Sequence, residues 1–225
     1  MPQRETFRWW GGDTRAVAGE RYEVPPERLG RWLQRWANEH GGVADAVRRE
    51  DGMRFSAADG AVLDAEVPFP PLTNGSESGF AALVEHAARE RLVGVLLVRL
   101  GGHAAGVFLG PELLDSKVGR RNVHGRHKKG GSSQRRFERR RDEQARVALR
   151  SAADVAARIL LPRAGDLEAL VTGGDVSAVQ AVLEDPRLAP LRHLQTPRVI
   201  DVPDPRLSVL RASPDRFRAT ILRPA

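Results

Sequence analysis

The sequence predicts an α/β (α+β) protein: a mixed sheet with flanking helices, preceded by a small N-terminal α+β unit. Three observations point there. Leu29, Trp32, Leu33 and Trp36 repeat at helical spacing near the start. A short apolar block, 92–100, is followed by a Gly-Gly turn and a second apolar run, as in a hairpin. A stretch of 27 residues, 134–160, then carries a helical stripe that ends at Pro162. Strands and helices that interleave in this way form layered α/β architectures.

In order along the chain, Pro25-Pro26 opens the first helix and Gly41-Gly42 closes it. The Trp stripe on that helix reads as core rather than as a base-stacking platform, because its period is helical. Trp9-Trp10 lies outside it and has no assigned place. Strand-like pieces follow around 54–56 and 61–67, before the stop Pro-Phe-Pro-Pro at 68–71. The polar stretch 72–79 reads as a linker, which divides the chain into a unit 1–72 and a domain 80–225. Within that domain we expect a helix over 80–90, strands over 92–100 and 104–109, and a third strand over 112–118. The segment 119–133 has four glycines among its charges and reads as a loop. The long helix follows, then a strand over 167–172, a helix through Leu183 capped by Asp175, and a strand over 198–202. The weak alternation of Leu207 and Val209, then Phe217, Ala219 and Ile221, suggests a closing hairpin.

Composition narrows the function classes. A chain of 225 residues buries one good core, or one core and a small satellite. No run approaches the ~18 apolar residues of a membrane span, and the first residues do not read as a signal peptide. The absence of cysteine excludes a disulfide framework, a thiol nucleophile and a Cys-based zinc site. A cytoplasmic protein with no membrane partner is the expectation.

Charge is distributed unevenly. From Lys117 to Arg146 there are twelve Lys and Arg against three acids, a local charge of +9 within a chain of net +7. A nearly neutral body with one basic segment suggests a local polyanion contact. Gly130 and Gly131 let the backbone approach another surface closely, and Ser132 and Ser133 are good helix caps. Gln134 then stands near the first turn of the long helix. Arg135, Arg136, Arg139 and Arg140 crowd that helix's N-terminal half, where the macrodipole disfavours cations. An external anion would offset the repulsion, and RNA phosphate is the natural candidate. With Arg120, Arg121, Arg126, His127, Lys128 and Lys129 in the preceding loop, these arginines form the expected RNA-binding set.

Other constellations are weaker. His124 and His127 lack the Cys or clustered carboxylates of a metal site, so phosphate contact or plain loop histidines are expected and no metal is assigned. Gly173-Gly174-Asp175 lacks the spacing of a dinucleotide or Walker loop and reads as a capped turn. Asp115 is a lone carboxylate beside the basic loop, whereas a two-metal nuclease wants several converging.

The strand–strand–strand order, the basic loop KKGGSSQ and the long helix together resemble the Vms-like release factor (VLRF) family, in its actinobacterial branch. That family is related to the middle domain of eukaryotic and archaeal translation release factors. The resemblance covers residues 80–202 and, with the first helix and the PFPPL segment, extends towards the whole chain. It implies a ribonuclease-H-like sheet and a loop that enters the peptidyl-transferase centre to hydrolyse the peptidyl-tRNA ester. Its implied partners are the large ribosomal subunit, ribosomal RNA and peptidyl-tRNA, with no cofactor. By position, Gly130 and Gly131 match the loop glycines and Gln134 the functional glutamine. The sequence departs from the Gly-Gly-Gln of release factors by placing Ser132 and Ser133 before Gln134, and these two complete the expected catalytic set. No separate decoding domain fits the length, so codon-dependent termination is not expected. Two alternatives stay open at this point: a nuclease that cuts tRNA near its 3′ end, and a non-catalytic ribosome- or RNA-binding module.

Overall fold

Pro26, at the first helical position, starts helix α1 (Pro26–Glu39), whose Leu29, Leu33, Trp36 and Ala37 are buried. Proline suits that position because its φ is already helical and its missing N–H is not needed there. Gly41 and Gly42, both at positive φ, turn the chain out of the helix. In the computed structural model, residues 20–72, 79–99, 101–120 and 134–225 are described, with 134–142 described as helical backbone only.

Helix α1 covers one face of an antiparallel sheet formed by β1 (Tyr22–Val24), β2 (Val43–Arg49), β3 (Gly52–Ala57), β4 (Val62–Glu66) and β10 (Thr220–Pro224), in the order β1-β10-β4-β3-β2. Alternation along β3 and β4 puts Met53, Phe55, Leu63 and Ala65 in the core. The opposite face is polar: both Arg54 and Arg49 pair with Asp64, and Arg223 pairs with Glu66. Helix α2 (Phe80–Ala88) packs beside α1, and its Ala82, Leu83 and Ala87 complete this core.

The expected division into 1–72 and 80–225 therefore cuts across a single core. Both α2 and β10 lie on the far side of that boundary, yet they pack in the first sheet's core. The expected closing hairpin is also corrected. Residues Leu207–Arg211 and Pro214–Phe217 form two short helices, α5 and α6, and only Thr220–Pro224 is a strand. Pro214 at the first position of α6 favours the helical turn. The alternation of Ile221 with its neighbours serves the first sheet, where Leu222 opposes both Tyr22 and Ala65.

The second sheet contains β5 (Leu92–Arg99), β6 (Gly102–Leu109), β7 (Glu112–Arg120), β8 (Ala169–Gly174) and β9 (Gln195–Ile200), in the order β7-β6-β5-β8-β9. The first three strands run antiparallel, whereas β8 and β9 run parallel to β5. This mixed order and direction is the ribonuclease-H-like arrangement. Helices α3 (Gln134–Leu160) and α4 (Val176–Leu183) cover one face. The other is covered by α5, α6 and Phe69, with Phe108 and Phe217 edge to face at 5.6 Å. Burial on both faces explains why β5 reads as a continuous apolar run rather than an alternating one. No helix among the described residues is long and apolar enough to cross a membrane.

Candidate functional site

Four strand ends converge where the basic segment leaves the sheet. Val98 of β5 stands opposite His103 of β6 and Gly174 of β8, and His103 stands opposite Gly119 of β7. Arg99, Gly102 and Arg120 form the last row. Arg120 is thus the exposed final residue of β7. The expected loop 119–133 is shorter at its start, since Gly119 and Arg120 belong to the strand. Gly119 is required by packing: a Cβ there would lie 2.1 Å from His103 Nε2.

Arg121, His124, Arg126, His127, Lys128, Lys129, Gly130, Gly131, Ser132 and Ser133 lie outside the described residues. Gln134, Arg135, Arg136, Arg139 and Arg140 fall on the first two turns of α3, whose first turn holds no acid. The backbone sets these residues on one continuous helix, as the sequence predicts.

How α3 is seated gives the site its shape. From Glu143 to Ser151 no residue is buried, and full burial begins at Ala152. Ser151 marks the junction, its Oγ 3.5 Å from Nε2 of the buried His103 at the sheet end. Gln134 is seventeen residues earlier on the same helix, about 25 Å away at 1.5 Å per residue. The helix therefore carries its N-terminus well away from the sheet that anchors its C-terminal turns. His103 is a strut at the root of this projection, and burial lowers its pKa so that the ring stays neutral. No local signal marks it, since a histidine after two glycines at a strand start carries no pattern.

The weaker constellations resolve structurally. Asp175 caps α4, accepting from the backbone N–H of Ser177 at 3.0 Å and of Ala178 at 3.2 Å. The Ser177 hydroxyl, at 2.7 Å, chiefly holds its carboxyl below the usual range. Gly174, at φ +96°, has no room for a side chain, because a Cβ would lie 2.2 Å from the carbonyl oxygen of Val98. The glycine pair thus serves close strand packing and a capped turn. Asp115 accepts from the backbone of Ser116. It is five residues back along β7 from Arg120, about 17 Å at strand spacing. Among the described residues no three His, Cys, Asp or Glu come together in a way that could hold a metal ion.

A comparison with protein families matches residues 91–223 to the Actinobacteria/chloroflexi VLRF1 release factor model. The chain belongs to that family. The match spans the second sheet, both helices on its first face and most of β10. Solved structures with a similar fold include an archaeal translation termination factor, aRF1, at 17% identity and TM-score 0.42, over 84% of this chain and 61% of that one. The Vms1 mitochondrial localization core is similar at 11% identity and TM-score 0.37, over 76% and 75% of the two chains. Archaeoglobus fulgidus Pelota is similar at 13% identity and TM-score 0.31, over 88% and 63%. This chain thus spans about three fifths of the length of the archaeal factor. No curated protein sequence matches it.

Proposed function

We propose that this VLRF1-family chain hydrolyses the ester bond of peptidyl-tRNA on the large ribosomal subunit, in the cytoplasm, with Gln134 orienting the attacking water. The observation that supports this reading is the length of α3: Gln134 opens the helix seventeen residues, about 25 Å, ahead of Ser151 at the sheet end. A packed domain of this size cannot enter a narrow RNA-walled site, whereas the tip of a projecting helix can.

The chemistry suits the residue. A Gln amide does not titrate near neutral pH, so Gln134 is no general base. It both donates and accepts hydrogen bonds, which suits holding a water against the ester carbonyl and supporting the developing oxyanion. Water adds to the carbonyl carbon, the bond to the ribose 3′-oxygen breaks, and the proton passes to that oxygen. Gly130 and Gly131 allow close backbone approach, with Ser132 and Ser133 between them and Gln134. Arg120, Arg121, Arg126, His127, Lys128 and Lys129, with Arg135, Arg136, Arg139 and Arg140, neutralise RNA phosphates around the tip. Ribosomal RNA and the terminal ribose complete the site, so the isolated protein is an incomplete enzyme.

The test uses stalled complexes with the tRNA labelled at its 3′ end and the nascent peptide labelled separately. Free peptide together with full-length tRNA is the expected product. Peptide that emerges carrying nucleotides would replace this reading with phosphodiester cleavage, and no product at all from a bound complex would leave a non-catalytic ribosome-binding module.

A further inference from the structure

A second basic feature lies outside the segment that carries α3. β1 and β9 are edge strands of different sheets, and a cleft of about 110 Å³ opens between them, lined by Arg21, Glu23, Arg198, Val199, Ile200, Asp201 and Arg216. We propose that this cleft is a seat for a phosphate group, gripped by Arg21, Arg198 and Arg216.

Glu23 Oε1 serves two guanidinium groups at once, Arg21 Nη2 at 3.0 Å and Arg198 Nη2 at 3.2 Å. Arg198 Nη2 is buried and lacks the alignment of a hydrogen bond to that oxygen, while its Nη1 donates to the Ala219 carbonyl at 2.9 Å. Arg216 Nη1 donates to the Asp201 backbone carbonyl at 2.9 Å. The Asp201 carboxylate is highly exposed and pairs with Arg99 at 3.5 Å. Arg21 and Arg198 therefore share the Glu23 carboxylate in a cleft that Arg216 and Asp201 also line. Taking a cation out of water is costly, and burial lowers the Arg198 pKa, with the Arg21 charge adding to the fall and Glu23, then Glu66, opposing it. A tetrahedral oxyanion would give the buried Arg198 Nη2 an acceptor, and the planar guanidinium fork matches its oxygens. The volume exceeds the roughly 10–15 Å³ that one water needs, so the anion fits together with bound water.

The position of the cleft suggests what carries the phosphate. Ile200 stands opposite Gly173 at the same sheet end from which β7 delivers Arg120. β7 and β9 are the two outer strands of that sheet, about 19 Å apart at 4.8 Å per strand. A nucleic-acid backbone lying along this end would meet Arg120 at one side and the cleft at the other. RNA backbone phosphate is one source and a small phosphorylated molecule is the other. The seat itself does not depend on the release chemistry; only the RNA source rests on that reading.

The experiment titrates inorganic phosphate into the full chain at constant ionic strength, with chloride as balance. Thermal stability and the Arg198 Nε–Hε NMR signal are followed. Both should shift saturably in the wild type. Arg216→Gln and Arg21→Gln should each weaken the response about tenfold, on the order of one lost charge-assisted hydrogen bond. Arg150→Gln, exposed on α3, should leave it unchanged. Arg198→Gln is less decisive because it also removes the bond to Ala219. A short RNA duplex that displaces phosphate from the wild type identifies RNA backbone as the source. Saturable binding without displacement identifies a small phosphorylated molecule. The absence of saturation, or an unaltered response in the Arg21→Gln, Arg216→Gln double variant, overturns the seat. Peptide release is never measured, so an inactive release site cannot imitate either outcome.

Discussion

Helices α1 and α3 are built on the same kind of amphipathic pattern and put it to opposite uses. α1 has fourteen residues and buries its apolar face from Pro26 to Ala37, nearly its whole length. α3 is almost twice as long, 27 residues, but among its described side chains full burial starts only at Ala152. The sequence marks the difference. On α1 the apolar side chains of the stripe are Leu and Trp; on the outer part of α3 Phe137, Ala145, Val147, Ala148 and Leu149 are spaced among arginines. Helix length beyond what a core can cover is not explained by stability, since most helical stability comes from packing an apolar face. In α3 the surplus turns carry Gln134 outward.

The sharpest way to break this comparison is to damage the sheet beneath α1. Leu222 of β10 is fully buried and lies between β1 and β4. Leu222→Asp places an uncompensated charge there and should cost more than about 4 kcal/mol, enough to abolish cooperative unfolding of the first core. Urea melts followed by tryptophan fluorescence would read this, because Trp36 lies in that core. A near-native melt would mean that β10 is dispensable to the fold.

A milder change compares the helices directly. Leu33→Ala in α1 removes a fully buried side chain and should cost about 2–5 kcal/mol. Gln144→Ala, on the outer part of α3, should stay within about 0.5 kcal/mol. If chemical denaturation gives similar losses for the two, α3 is packed along its length and the argument for reach fails.

Parts of this design are legible in sequence, for physical reasons. α3 is readable at both ends, since its stripe is long and Pro162 stops it within a short 3-10 turn. The Asp175 cap and the β5–β6 hairpin follow from strong local signals. β2 is not readable, because all of its residues are exposed and no alternation of burial shapes it. The reach of β10 into the first sheet is a long-range pairing that local pattern cannot encode. The candidate site divides in the same way. Gln134 at the head of a helix is local and legible. His103 against Ser151, and the meeting of Arg21, Arg198 and Arg216, bring together residues far apart in the chain.

The two cores are fastened where α2 meets β5, and acid tests that joint. His86 of α2 is buried, and Arg91 donates to its carbonyl at 3.0 Å while Nη2 lies 3.2 Å from its Nε2. The Arg91 guanidinium also stacks over Phe69, 5.1 Å from the ring centre, which packs with the second core. Burial, then the Arg91 charge, lowers the His86 pKa from 6.5 to about 4. Between those values the unfolded chain binds the extra proton and the folded chain does not, so stability falls as pH drops below about 6.5. The loss should reach on the order of 2 kcal/mol by pH 5, at 1.4 kcal/mol per pH unit. His86→Gln should flatten that slope relative to wild type in melts at pH 5 to 7. An equal slope in the two proteins would remove His86 as the cause.

The smallest expected effect on the fold is also the most informative for function. Gln134 is the first residue of α3, eighteen residues ahead of Ala152, where burial begins among the described side chains of that helix, so Gln134→Ala should leave stability within about 0.5 kcal/mol. Release of peptide from a stalled complex should fall at least tenfold, about 1.4 kcal/mol of transition-state stabilisation, as the loss of one oriented hydrogen bond predicts. Ribosome binding should persist, because the arginines proposed to neutralise phosphate are untouched. Replacing Arg135, Arg136, Arg139 and Arg140 with Gln should do the reverse: it should flatten the salt dependence of binding, since fewer counterions are released, while the helix and the core beneath it stay intact. If Gln134→Ala weakens binding as much as the quadruple variant does, the tip and the basic flank act as one surface. If it leaves release at the wild-type rate while binding is intact, Gln134 does not orient the water.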